Sequence, residues 1–264
     1  MNQTILFIHG MFQNPKSWVP WVQYFEGLGY RCVAPAWPLH EGEPASLRAH
    51  PPAALGDLGL EEIIRSVEKA AAGQSAPPIL IGHSVGGLIA QVLASRGLAE
   101  KCICISPVAP NRMLSFDWGF IKNAALINNP LKGNEPFFTD LETFKAAFCN
   151  TMSLAEAKAA FEETAVHDSR NVLRDCLGSA GQVDLQESHV PLLFIGGGED
   201  AIIPSDFVRK NAAAYGASTG AVDLRIFPGR GHFICGQPGW EVIAKFIAEW
   251  ITQRPAAALH QRAA

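Results

Sequence analysis

Residues 79–82, Ile-Leu-Ile-Gly, run directly into His83-Ser84-Val85-Gly86-Gly87 and then into Leu88-Ile89-Ala90. A continuously apolar run of this kind reads as a strand buried on both faces, and the residues after it carry the pattern of an amphipathic helix. A strand that turns at once into a helix commits the chain to layered α/β packing, since the helix must lie back over the sheet.

The same alternation recurs along the chain. Apolar runs at 4–8, 30–34, 79–82, 102–106, 192–196 and 222–227 are separated by helix candidates at 17–28, 60–72, 87–96, 205–215 and 240–252. This order predicts an α/β fold with a mostly parallel sheet of about six strands and right-handed crossovers. With 264 residues and no visible linker, the chain is long enough to bury such a sheet as one unit. Its 48% hydrophobic and 17% charged residues exclude disorder, and a net charge of −4 gives no electrostatic footprint for nucleic acid. No apolar run approaches the roughly 20 residues of a membrane span. Met1-Asn2-Gln3-Thr4 leads straight into Ile5 without the basic flank and cleavage region of a signal peptide, so a soluble, cytoplasmic protein is expected. The six cysteines are scattered through mostly apolar surroundings and suit buried reduced thiols; no spacing suggests a metal.

One stretch breaks the rhythm. Residues 107–188 hold no convincing strand, yet are rich in helix formers and in aromatics, including Phe144, Phe148 and Phe161. So long a stretch does not fit a bare loop, and it reads as a helical cap over the C-terminal edge of the sheet. The expected division is a core of 1–106 and 189–253, a cap of 107–188, and a frayed tail of 254–264.

The strand-to-helix turn also carries chemistry. In Gly82-His83-Ser84-Val85-Gly86 the glycines permit close backbone approach, and the serine is raised on a sharp turn above the sheet. Ser84 is therefore the candidate nucleophile, with the Val85 backbone N–H free at the helix start to meet an anion. A serine nucleophile needs a base. Of eight histidines, His232 follows the last strand in Pro228-Gly229-Arg230-Gly231, at the sheet edge where Ser84 emerges. Asp200, at the end of the preceding strand, is placed to orient it, with Glu199 and Asp206 as weaker competitors. The Met11 backbone N–H, after His9-Gly10, is the second candidate oxyanion donor. His83 is expected to pack or bond locally and His9 to be structural to its loop. His40 and the remaining histidines lack comparable placement, although His167 has a claim to the pocket wall.

The order Ser84, Asp200, His232, the leading His9-Gly10 and the helical insertion together resemble the α/β-hydrolase superfamily, in its compact serine esterase type with a helical cap. The resemblance implies an α/β-hydrolase fold starting at the family's third strand. It also implies hydrolysis of a carboxylic ester or lactone through an acyl-enzyme, with no cofactor or metal. Relatives with lyase activity carry a lysine beside the histidine; here Phe233-Ile234 follows it. C–C bond cleavage or lysis on the same three residues, or a ligand-binding protein without turnover, are the alternatives. The expected partner is an apolar small-molecule ester or related carbonyl compound, with no nucleic acid and no membrane span, and oligomeric state left open. Phe12, Trp37, Phe116, Trp118, Phe137, Phe138 and Phe233 are the candidate pocket residues.

Overall fold

The computed structural model describes residues 3–111, 113, 134–187, 189–216 and 220–254. Among the described residues six strands form one sheet: β1 (Thr4–Ile8), β2 (Arg31–Val33), β3 (Ile79–His83), β4 (Lys101–Ile105), β5 (Leu192–Gly197) and β6 (Val222–Phe227). Every pairing is parallel, in the order β2-β1-β3-β4-β5-β6. After β2 the chain crosses back to the other side of β1, so the winding direction reverses between β1 and β3. Such a reversal opens a crevice at the C-terminal strand ends, because the loops leaving the two strands diverge.

Alternation of side chains divides the core into two layers. Ile5, Phe7, Ile79, Ile81, Ile103, Ile105, Leu193 and Ile195 face α1 (Val19–Gly27) and α9 (Glu241–Gln253). Leu6, Ile8, Leu80, Cys102, Cys104, Leu192 and Phe194 face the opposite layer, which includes α3 (Leu60–Ala72), α4 (Val85–Ser95) and α8 (Ser205–Ala214). Cys102 and Cys104 share a face with their sulfurs 3.5 Å apart, and all six cysteines are free thiols.

The last strand departs from the expected continuous apolar run. β6 pairs on one side only, and its Leu224 and Arg225 are exposed. Polar residues at this edge find partners mainly on α9 and just beyond it: Asp223 accepts hydrogen bonds from Trp250 Nε1 (2.8 Å) and Arg254 (2.7 Å), and the Arg225 guanidinium lies over the rings of Phe246 (5.9 Å) and, within β6, Phe227 (5.7 Å). Beyond Arg254 the expected tail lies outside the described residues.

Between β4 and β5 the described residues include α5 (Leu141–Ala147), α6 (Leu154–Thr164) and α7 (Arg170–Cys176). Each has its polar N-cap: Asp140 accepts from the Thr143 amide, Ser153 and Glu156 form a reciprocal capping box, and Ser169 accepts from the Asn171 amide. A short helix missed in the sequence, α2 (Pro44–Ala49), packs against α6 of this insertion. Its Arg48 donates to the carbonyls of Phe161, Glu162 and Ala165, satisfying acceptors at the C-terminal end of α6. The described part of the insertion also contains an antiparallel bridge, Phe137 to Asp168, that no strand pattern announced. Among the described residues no helix is long and apolar enough to cross a membrane.

Candidate active site

Ser84 sits between β3 and α4 with φ 57° and ψ −120°, a conformation that costs a non-glycine residue about 1–3 kcal/mol. Backbone bonds on both sides hold it there. Its amide donates to the Ile105 carbonyl at 3.0 Å, and its carbonyl accepts from Gly87 (2.9 Å) and Val108 (3.0 Å). The turn is tight enough that a Cβ on Gly82 would overlap the Gly86 carbonyl, and one on Gly86 would overlap the carbonyls of Ile8 and His9. Gly10, in the loop after β1, lies against the serine: a Cβ there would come within 2.9 Å of Ser84 Cβ. The reversal in sheet winding thus brings the β1 loop onto the serine, while Val85 begins α4 beside it.

His232, in the loop after β6, is fully buried, and its Nδ1 lies 2.9 Å from Asp200 Oδ2. Asp200 follows β5, and its Oδ1 accepts hydrogen bonds from the amides of Ile202 (2.9 Å) and Ile203 (2.8 Å). Burial opposes its charge, but the adjacent imidazole and the two amides prevail and hold the carboxyl below its ordinary pKa. A carboxylate only accepts, so Nδ1 of His232 carries a proton, and in the neutral ring Nε2 presents a lone pair. That Nε2 is buried with no hydrogen-bond partner. Of the competing acids, Glu199 is exposed and uses its backbone here, while Asp206 is exposed on the first turn of α8.

Two further histidines have roles beyond the sequence expectation. His83 packs as expected, its ring 4.8 Å from that of His232, but its hydrogen bond is distant in sequence: Nε2 lies 2.8 Å from the carbonyl of His232, across 149 residues. His40 is buried in a polar cluster, its Nε2 3.6 Å from Asp168 Oδ2. His9 is structural, with Nδ1 2.9 Å from the Gly10 carbonyl and Nε2 3.3 Å from the Trp37 amide. Burial, reinforced by His40, lowers its pKa to about 3, so it is neutral.

The aromatic surroundings are only partly those expected. Phe12 and Phe233 are nearly buried, and Phe12 packs edge-on against Phe137 (5.7 Å) and Phe148 (6.0 Å). Phe138 stacks on His167 at 4.6 Å. Trp37 has no exposed surface: it packs on His9 at 4.4 Å and against His40, which takes up the surface expected to wall a pocket. Phe116 and Trp118 lie outside the described residues. Phe148 was not singled out for the pocket, yet its ring stands edge-on to His232 at 5.3 Å. Among the described residues, no group of three or more His, Cys, Asp or Glu side chains is arranged to hold a metal ion.

A profile of the alpha/beta hydrolase family matches residues 5–244. The chain belongs to that family. Solved structures of other alpha/beta proteins superpose over nearly the whole chain. A monoacylglycerol lipase from Paleococcus ferrophilus matches with a TM-score of 0.68 at 20% identity, covering 95% of this chain and 94% of the lipase. A pyrethroid hydrolase from Sphingobium faniae JZ-2 gives 0.68 at 20% identity over 96% and 98% of the two chains. A methylesterase from Arabidopsis gives 0.67 at 12% identity over 96% and 100%. At these identities the likeness is one of fold. No curated protein matches the sequence. As an alpha/beta hydrolase, the chain has its candidate nucleophile, acid and base at the C-terminal ends of β3, β5 and β6, one sheet edge.

Proposed function

We propose that this alpha/beta hydrolase is a serine hydrolase that cleaves a carboxylic ester or lactone of an apolar small molecule. The observation that carries the reading is the His232–Asp200 pair, with Nδ1 2.9 Å from Oδ2 and Nε2 free of any hydrogen-bond partner, at the same sheet edge as Ser84 on its strained turn.

Ser84 Oγ attacks the substrate carbonyl while His232 Nε2 takes the hydroxyl proton, and Asp200 stabilises the imidazolium that forms. The negative charge on the carbonyl oxygen is met by the backbone amides of Met11 and Val85. Collapse of the tetrahedral intermediate expels the alcohol, which receives the proton from His232. Water then attacks the acyl-enzyme, giving up its proton to His232, and the acid is released as Ser84 recovers its hydrogen.

The 107–188 insertion serves as a cap over this edge. Phe12, Phe148 and Phe233, with Phe144 stacked at 5.2 Å on Phe148, support an apolar acyl or alcohol group rather than a charged one. Three fold neighbours named as a lipase, a pyrethroid hydrolase and a methylesterase support hydrolysis of esters.

Labelling with an alkyl fluorophosphonate followed by peptide mass spectrometry tests this reading. The adduct is expected on Ser84, at a rate that falls in His232→Ala. An unlabelled Ser84, or equal rates in the two proteins, contradicts it.

A further inference from the structure

We propose that Asp168 and His40 are positioning residues that hold the oxyanion loop in its working shape, a role that rests on the serine hydrolase reading above. The loop after β1 passes through Phe12 at φ 62°, a left-handed conformation that a phenylalanine does not keep unaided. Asp168 reaches it from the β4–β5 insertion. Its Oδ2 accepts the Phe12 amide at 2.9 Å, while the Phe12 carbonyl accepts the Val166 amide at 3.0 Å. The residue next to Met11 is thus gripped on both sides by the segment from 166 to 168.

Asp168 is itself fixed. Its backbone exchanges two 2.8 Å hydrogen bonds with Phe137, and its Oδ1 accepts the Ser169 amide at 2.7 Å. His40 lies beside it, Nε2 3.6 Å from Oδ2 and without a hydrogen-bond partner of its own, and both side chains are shielded from solvent. His40 Nδ1 donates to the Pro38 carbonyl at 3.0 Å, which aims Nε2 at the carboxylate. Burial opposes a proton on this ring, but Asp168 and the Pro38 carbonyl prevail and raise its pKa. Neither residue hydrogen-bonds Ser84, Asp200 or His232. Buried polar and ionisable pairs are a weak source of stability, and their best-attested use is to fix one geometry among several. Here the geometry fixed is that of the Met11 amide, and the group fixing it belongs to the cap.

The experiment compares wild type, Asp168→Asn and His40→Gln. It measures kcat and KM on a p-nitrophenyl ester per phosphonate-titrated site, Ki for an alkyl boronic acid that forms a tetrahedral serine adduct, and Tm. Asp168→Asn leaves one acceptor where two amides need one each. It is expected to lower kcat per site by about 10- to 100-fold, since small misplacement of a catalytic donor is that costly, and to weaken the boronate by a similar factor. KM stays within about threefold. His40→Gln follows in the same direction with a smaller loss, and decides the matter if Asp168→Asn does not fold. Wild-type kcat per site and Ki, with only Tm or the number of titratable sites reduced, overturn the proposal and leave the hydrolase reading standing. A wild-type protein without turnover or labelling overturns both.

Discussion

His83 Nε2 lies 2.8 Å from the backbone carbonyl of His232, so the residue before the candidate nucleophile holds the loop that carries the candidate base. The carbonyl only accepts, which places a hydrogen on Nε2 of His83. Burial, aided by the nearby His232, lowers the His83 pKa to about 3, so the ring remains a neutral donor. His83→Ala is expected to lower kcat by about tenfold with little change in KM, because the base loses its register and the binding surface does not. His83→Gln, which keeps an amide donor, recovers part of the loss. Steady-state kinetics on a p-nitrophenyl ester check this; equal kcat in wild type and His83→Ala contradicts it.

The conformation of Ser84 predicts opposed effects on stability and activity. With φ 57° and ψ −120°, it occupies a region open to glycine. Ser84→Gly is expected to raise unfolding stability by about 1 kcal/mol, relief of strain being partly offset by the greater freedom of the unfolded chain, while turnover is lost. Denaturant unfolding measures the first effect. A clear destabilisation argues that the turn is not strained.

Acid sensitivity follows from the two buried neutral histidines. His9 and His83 have folded pKa values of about 3 against an ordinary 6.5, so between those pH values the unfolded chain binds more protons than the folded one. Stability therefore falls as pH drops through that window, by up to about 1.4 kcal/mol per pH unit for each histidine. His40, whose folded pKa is raised, acts in the opposite sense and stabilises below 6.5, offsetting part of the fall. Asp200, with a depressed pKa, adds its loss at still lower pH, as its carboxyl is protonated. The urea midpoint is expected to be lower at pH 5 than at pH 7, and less so in His83→Gln. An unchanged midpoint contradicts the burial argument.

Phe148 is expected to shape substrate preference. Its ring stands against His232, and its backbone carbonyl holds the Phe233 amide at 2.8 Å. Phe148→Ala removes ring surface worth roughly 1–3 kcal/mol to a bound apolar group, and kcat/KM for medium-chain p-nitrophenyl esters drops about 10- to 200-fold more than for acetate. A uniform drop across chain lengths shows that the ring supports structure without contacting the acyl group.

The sheet was legible because each buried strand is a local apolar run, and the turn at Ser84 because glycine is demanded within a few residues on either side. Asp200 and His232 were legible for a related reason: each follows a recognisable strand, so topology brings them together. The polar cluster was not legible. Phe12 and Asp168 are 156 residues apart, and neither Pro-Leu-His-Glu around His40 nor His-Asp-Ser around Asp168 has a local pattern that distinguishes it from surface loop. Trp37 was misplaced for a similar reason, since its burial depends on His9 and His40 closing over it. β6 differed because a strand's exposure depends on its place in the sheet, and its edge position was set by the order of pairing.

In the proposed reaction Ser84 is the nucleophile and His232 its base. The most direct test is turnover of a panel of p-nitrophenyl esters from acetate to decanoate, with lactones and a thioester, by wild type, Ser84→Ala and His232→Ala at matched folded concentration. Hydrolysis by wild type is expected to peak at medium-length apolar esters and to fall by at least about 10³-fold in both variants, with their Tm preserved. Near-wild-type rates in Ser84→Ala, or no turnover of any member by the folded wild-type protein, would contradict it.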